Sequence, residues 1–208
     1  ANEKEMLGFY ITKHPLARFE SLLGAYSTCK IPELAGMSDG QEVLIGGIIK
    51  KARITVTRKK AEKMAIISLE DLDNFIEVLV FPRAYRKAPE LIKEDSLVFV
   101  HGRLNMREEE PKIIAEEIIP LEKVKERFTK SVLIKISTRE AEEGVMIKIK
   151  KTIEKFRGKT PIFIDFISPE GRKIRLSTDK GLFVQPTDEL IEEIESITGT
   201  GNVKFLTR

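Results

Sequence analysis

VLIGGIIKKARITVTRKKAEKMAIISLEDLDNFIEVLVFP, residues 43–82, reads as three consecutive β-strands. Val43–Thr57 forms the first, Met64–Leu69 the second and Phe75–Phe81 the third, each rich in β-branched or aromatic residues and bounded by polar turns. Gly46 and Gly47 interrupt the long first strand, where they permit the sharp bend or bulge that lets one strand serve both sides of a small barrel. Working outward, Leu97–Leu104 and Ile113–Leu121 supply two further strands, and a helical stretch, Arg83–Lys93, falls between the third and fourth.

Five strands with one helix after the third follow the plan of the OB-fold, a five-stranded β-barrel. The barrel is expected over residues 41–123. Ahead of it, residues 1–40 read as a short helical segment and linker. Glu3–Ile11 is helical in pattern, His14-Pro15 breaks it, and Pro15 opens a second helix with Leu16, Phe19, Leu22 and Leu23 on one face. Residues 27–41 hold Pro32, Gly36 and Gly40 with few periodic apolar positions and read as linker. Residues 130–208 read as a small C-terminal α/β domain. Val132–Ile136 is strand-like, and Ser137-Thr138-Arg139-Glu140 matches a capping box for a helix with the stripe Met146, Ile149, Ile153 and Phe156, stopped at Gly158. Ile162, Ile164 and Phe166 alternate as a strand, residues 168–171 form a turn, and Ile174 and Leu176 continue the hairpin. Thr187 caps a helix that turns Leu190, Ile191, Ile194 and Ile197 inward, and Val203–Leu206 is a last strand.

The 208 residues are 41% hydrophobic and 33% charged, without Trp, a bias shared with heat-adapted proteins. A net charge of +3 leaves polyanion binding to local clusters. Cys29 is the sole cysteine and there are two histidines, so one chain builds neither a disulfide nor a Cys/His zinc site. No apolar run approaches the ~20 residues of a membrane span, and no signal-peptide pattern opens the chain. A cytoplasmic protein with no membrane partner is expected. The chain begins at Ala1 without Met, as a segment of a longer protein would.

Lys50, Lys51, Arg53, Arg58, Lys59, Lys60 and Lys63 face a single acid, Glu62, in the end of strand one and the loop beyond it. In an OB-fold that loop borders the groove through which single strands pass. Phe81 and Phe99 are candidate stacking platforms, with Arg83 and Arg103 as further phosphate contacts; phenylalanines within strands also serve as core. Asp71 and Asp73 have the spacing of a two-metal pair, but their place between strands two and three gives them turn chemistry instead. His14 and His101 lack a Ser or Cys partner and read as structural, and Asp188, Glu189, Glu192, Glu193 and Glu195 read as a solvated helix face. No catalytic residue, metal ligand or cofactor is assigned.

Four blocks carry a family resemblance. EKEMLGFYITKHPL (residues 3–16), MAIISLEDLDNFIEVLVFPRAY (64–85), LVFVHGRL followed by IIAEEIIPLE (97–104 and 113–122), and residues 160–206 are similar to the C-terminal region of the bacterial DNA polymerase III alpha subunit. The resemblance implies a parent DNA-directed DNA polymerase, a nucleotidyltransferase whose Mg²⁺-binding palm lies elsewhere. It implies that the present segment is non-catalytic, that its barrel holds single-stranded template DNA, and that its last domain docks the clamp-loader tau subunit and other replisome subunits. The competing readings are an anticodon-binding OB domain of an aminoacyl-tRNA synthetase, which should lead into a much larger catalytic domain, and a stand-alone single-strand-binding accessory protein.

Overall fold

The structure, a computed structural model, describes residues 15–107 and 110–207. The helix expected over Glu3–Ile11, and His14, lie outside the described residues. The chain divides into two compact units, Ala1–Leu121 and Glu122–Arg208. No helix among the described residues is long and apolar enough to cross a membrane.

The first unit opens with a 3₁₀ turn and helix α1 (Glu20–Tyr26), which buries Leu23 and Tyr26. The stretch read as linker is a packed part of the barrel. Ile31 and Leu34, on a 3₁₀ turn over Ile31–Gly36, lie in its hydrophobic core. Pro32 sits in the first turn, where its missing N–H costs nothing.

Strand β1 (Glu42–Val56) then pairs with two different strands. Residues 42–48 run antiparallel to β4 (Leu97–Asn105), while residues 48–56 run antiparallel to β2 (Lys63–Glu70). With β3 (Phe75–Val80) and β5 (Lys112–Pro120), parallel to each other, the barrel closes in the order β1-β2-β3-β5-β4. The register of β1 against β2 shifts between Ile49 and Lys51, so the bulge falls at Lys50 and not at the glycine pair. The glycines serve close packing instead. A Cβ on Gly46 would lie 2.4 Å from Leu23 Cδ2 and 2.7 Å from Phe99 Cζ, and one on Gly47 would lie 2.5 Å from the Glu70 carbonyl oxygen.

The helix expected over Arg83–Lys93 is reduced to α2 (Pro82–Tyr85) and a 3₁₀ turn over Pro89–Leu91. Proline disfavours the α conformation in the residue before it, and Ala88 leaves the helical region with φ −152° and ψ 57°.

In the second unit, α3 (Val124–Phe128) precedes β6 (Ser131–Ser137), α4 (Glu143–Lys155), β7 (Arg157–Thr160), β8 (Ile162–Ile167), β9 (Lys173–Ser177), α5 (Asp188–Thr198) and β10 (Val203–Leu206). The sheet order is β10-β6-β8-β9, with β6 and β8 parallel across the α4 crossover. Val132, Ile134, Ile136, Ile162 and Ile164 on one sheet face pack with Ile149 and Ile153 of α4 and Leu190 and Ile194 of α5. Thr187 caps α5 as expected, its hydroxyl accepting from the Leu190 N–H at 3.2 Å. The expected capping box at residues 137–140 does not open α4. Ser137 Oγ accepts from the Arg139 N–H in a local turn, and the helix starts after Glu142. Gly158 is likewise no helix stop but part of β7, where a Cβ would come within 2.3 Å of the Gln185 nitrogen.

On the opposite sheet face Asp165 is fully buried. Arg175, directly across on β9, donates Nε at 2.7 Å and Nη2 at 2.9 Å to its two oxygens, and Lys173 Nζ lies 2.9 Å away. These bonds, from Arg175 above all, hold its pKa down at about 2. A lowered folded-state pKa stabilises fully above the unfolded value of about 3.9, and the contribution is lost as pH falls through about 2. Asp165→Asn should therefore begin less stable at neutral pH and decline less than the parent between about pH 4 and pH 2. Melting curves across that range check it. Gly46→Ala should cost about 1–3 kcal/mol through overpacking, read by the same method.

Candidate nucleic-acid interface

Alternation along β2 and β3 decides what the barrel shows to solvent. Ala65, Ile67 and Leu69 of β2, and Ile76, Val78 and Val80 of β3, are buried in the core. Their neighbours Ile66 and Ser68, and Phe75, Glu77 and Leu79, therefore point outward. The registers join these into rows across four strands. Arg53, Ile66, Leu79 and Ile114 form one, and Lys51, Ser68, Glu77 and Lys112 the next. Phe75 stands opposite Glu70 at the end of β3 and is 67% exposed, the most open of the large hydrophobic side chains on this unit among the described residues. A groove of about 860 Å³ is lined by Lys51, Arg53, Lys112, Ile66 and Phe75, and by the acids Glu77, Glu94 and Glu110.

The charges in this region are unevenly committed. Lys50, at the bulge, lies 3.6 Å from Glu70, and Lys112 lies 3.1 Å from Glu77. Among the described residues Lys51 and Arg53 have no ion pair. The same holds for Arg58, Lys59, Lys60 and Lys63 around the β1–β2 loop. That loop is ordered by its backbone, with Thr57 N–H donating to the Glu62 carbonyl and Ala61 N–H to the Thr57 carbonyl, at 2.9 and 3.0 Å. Its single acid, Glu62, accepts from Arg86 of the neighbouring chain segment at 3.1 Å. The loop cations thus keep an uncompensated positive field.

The remaining sequence candidates sort clearly. Phe81 caps α2, is 39% exposed and is followed by exposed Arg83. Arg103 on β4 donates to Glu116 at 2.9 Å and to the Gly40 carbonyl at 3.5 Å, so its guanidinium is already engaged. Phe99 cannot stack on a base. It is fully buried, edge-on to Tyr26 with ring centroids 6.5 Å apart. Asp71 likewise spends its carboxylate on the backbone: Oδ1 accepts from Asp73 and Asn74 at 2.8 Å and Oδ2 from Ile31 at 2.9 Å. It orders the turn and ties the 3₁₀ segment to the barrel. Phe75 and Lys112 were not singled out by sequence reasoning, although taking Ile76, Val78 and Val80 as one inward set leaves Phe75 on the outer face.

The sequence of the barrel region matches a known family model. Residues 43–121 match the OB-fold nucleic acid binding domain. These residues form an OB-fold domain. The chain is also similar along nearly all its length to part of DNA polymerase III subunit alpha. It is 30% identical to that of Saccharopolyspora erythraea over 96% of this chain and 17% of the relative, and 30% identical to that of Aquifex aeolicus over 94% and 17%. The chain thus spans less than a fifth of the curated relatives it matches. Among solved structures, asparaginyl-tRNA synthetase from Pyrococcus horikoshii aligns over 55% of this chain and 29% of that one, with 16% identity and a TM-score of 0.32.

The two phenylalanines of opposite exposure should respond oppositely to truncation. Phe99→Ala should lower stability by about 3–5 kcal/mol, whereas Phe75→Ala should stay within about 0.5 kcal/mol of the parent. Chemical denaturation of both variants checks this.

Proposed function

We propose that the barrel, over residues 41–123, binds single-stranded template DNA across its β1-β2-β3 face. The observation that carries this reading is Phe75, exposed at 67% on a face whose flanking Lys51 and Arg53 have no ion pair among the described residues. An aromatic ring open to solvent beside cations suits unstacked bases, which offer a π-face to the ring and phosphates to the cations. A paired duplex hides its base faces and leaves the ring nothing to stack on. Lys51 and Arg53 then contact the backbone of the strand along the face, and Arg58, Lys59, Lys60 and Lys63 extend that contact at the loop. Phe81 and Arg83 prolong the track past the end of β3. Stacking and phosphate contact both tolerate any base, so binding carries little sequence preference.

The similarity to DNA polymerase III subunit alpha supports a place in DNA replication, with the whole protein a DNA-directed DNA polymerase and this segment its non-catalytic template-holding and docking part. Mg²⁺ chemistry belongs to the polymerase active site elsewhere in that protein. In this reading residues 130–208 dock the clamp-loader tau subunit and contribute little to DNA affinity.

Changing Arg58, Lys59, Lys60 and Lys63 together to Ala should flatten the logarithmic salt dependence of oligo-dT binding by roughly 0.7 for each phosphate that is no longer neutralised. Phe75→Ala should instead cost about 1–3 kcal/mol of affinity and leave the salt slope in place. Fluorescence titrations at several salt concentrations read both, and an unchanged slope in the four-site variant would remove the loop from the interface. The 208-residue chain should incorporate no nucleotides with Mg²⁺ present. Truncation near Lys130 should preserve oligo-dT affinity while abolishing co-elution with tau.

A further inference from the structure

The barrel of the first unit pairs every strand on both sides, but the second unit's sheet ends at β9. Its outer edge has no strand partner among the described residues. Ser168 and Arg172 stand opposite each other, and the Ser168 N–H donates to the Arg172 carbonyl at 2.8 Å; at the other end Thr178 N–H donates to the Ile162 carbonyl at 3.1 Å. Opposed residues in an antiparallel pair alternate between bonded and non-bonded, so Ile174 and Leu176 bond to β8. The backbone groups of Lys173, Arg175 and Ser177 consequently point to the open edge.

The two faces of this edge differ in chemistry. On the helix side Ile174 and Leu176 are 63% and 50% exposed, beside a groove of about 280 Å³ lined by Met146, Ile147, Ile164 and Leu182. On the other side Lys173 and Arg175 share one carboxylate, Asp165, leaving a surplus of positive charge at half-exposed side chains. Exposed edge strands are ordinarily shielded or made polar, because they invite pairing with another chain.

We propose that β9 receives an extended segment of a partner protein as an additional strand, in which apolar residues alternate with acidic ones. The backbone edge supplies the pairing. Residues two apart along the incoming strand share a face, so its apolar set covers Ile174, Leu176 and the α4 groove while its acids meet Lys173 and Arg175. A second copy of this chain is a poor occupant. Antiparallel self-pairing of β9 brings like cations together, and the sheet's other edge, β10, carries Lys204 and no acid. This proposal rests on the docking role of the second unit and specifies where and by what chemistry it is met.

The probe is a blocked peptide of about ten residues alternating valine and glutamate, titrated into the 208-residue chain, with a valine–lysine peptide as control. Hydrogen exchange should show saturable protection of the Lys173, Arg175 and Ser177 amides by the acidic peptide alone. Ile174→Thr with Leu176→Thr places residues of high β-propensity at exposed strand positions, so melting should hold while peptide affinity falls about tenfold or more. Equal binding of both peptides, or undiminished binding by the folded double variant, would overturn the proposal. So would protection that rises with protein concentration in the absence of peptide, which marks a second copy as the occupant. If the double variant still co-elutes with tau as the parent does, the docking role stands and the edge is not its site; if neither chain co-elutes, the docking role itself falls.

Discussion

The first unit depends on one strand hydrogen-bonding to two partners. Residues 42–48 of β1 complete the ladder with β4 and residues 48–56 that with β2, so closure of the barrel passes through this strand. The bulge at Lys50 supplies the change of direction, and Gly46 and Gly47 let Leu23, Phe99 and the Glu70 carbonyl come close. The second half of β1 is largely exposed, whereas residues 43–49 are buried throughout. The same device that closes the barrel therefore carries Lys51 and Arg53 onto its outer surface, in register with Ser68 and Ile66. Scaffold and candidate interface share one physical cause.

Net charge says little about such a surface, because distribution decides what a polyanion meets. Of the acids near the face, Glu62 is taken by Arg86, Glu70 by Lys50 and Glu77 by Lys112, while Glu94 and Glu110 also line the groove. These exposed pairs add little stability, since water screens them and long side chains lose freedom in forming them. Their larger effect is to neutralise acids that would otherwise repel phosphate. Lys51, Arg53 and the four loop cations, which have no ion pair among the described residues, outnumber the remaining acids Glu94 and Glu110, which is how a chain of net charge +3 presents a locally cationic face.

Strand positions were legible because β-branched runs bounded by turn residues are a local signal, and all five barrel strands fall within one residue of expectation. Features set by tertiary contact were not. A stretch with few periodic apolar positions hid Ile31 and Leu34, whose burial depends on the barrel residues they join in one core. Ser137 and Glu140 matched a capping pattern, yet the chain leaves β6 through a turn first. Phe99 and Phe75 show the limit most clearly, since both lie in strands and their exposures are opposite. Which face is inward follows from register and closure, and a shift of one residue exchanges the faces. The basic loop could be found from composition alone, whereas the aromatic beside the free cations required the rows of the folded sheet.

The two units also manage buried polarity and open edges differently. In the first, Asp71 uses its oxygens on three backbone N–H groups and so ties the 3₁₀ segment to the β2–β3 turn. In the second, Asp165 is satisfied by side-chain cations from β9 itself, which clamps the hairpin's edge strand to β8. A sheet closed into a barrel has no unpaired edge to defend, so its surface can be given over to side-chain chemistry. An open sheet keeps a row of backbone donors and acceptors available. Clamping β9 through Asp165 holds that row straight while its outer side stays unpaired, and a rigid edge loses less freedom on pairing than a frayed one. The buried carboxylate that stabilises the hairpin thereby also preorganises the edge on which a partner strand would add.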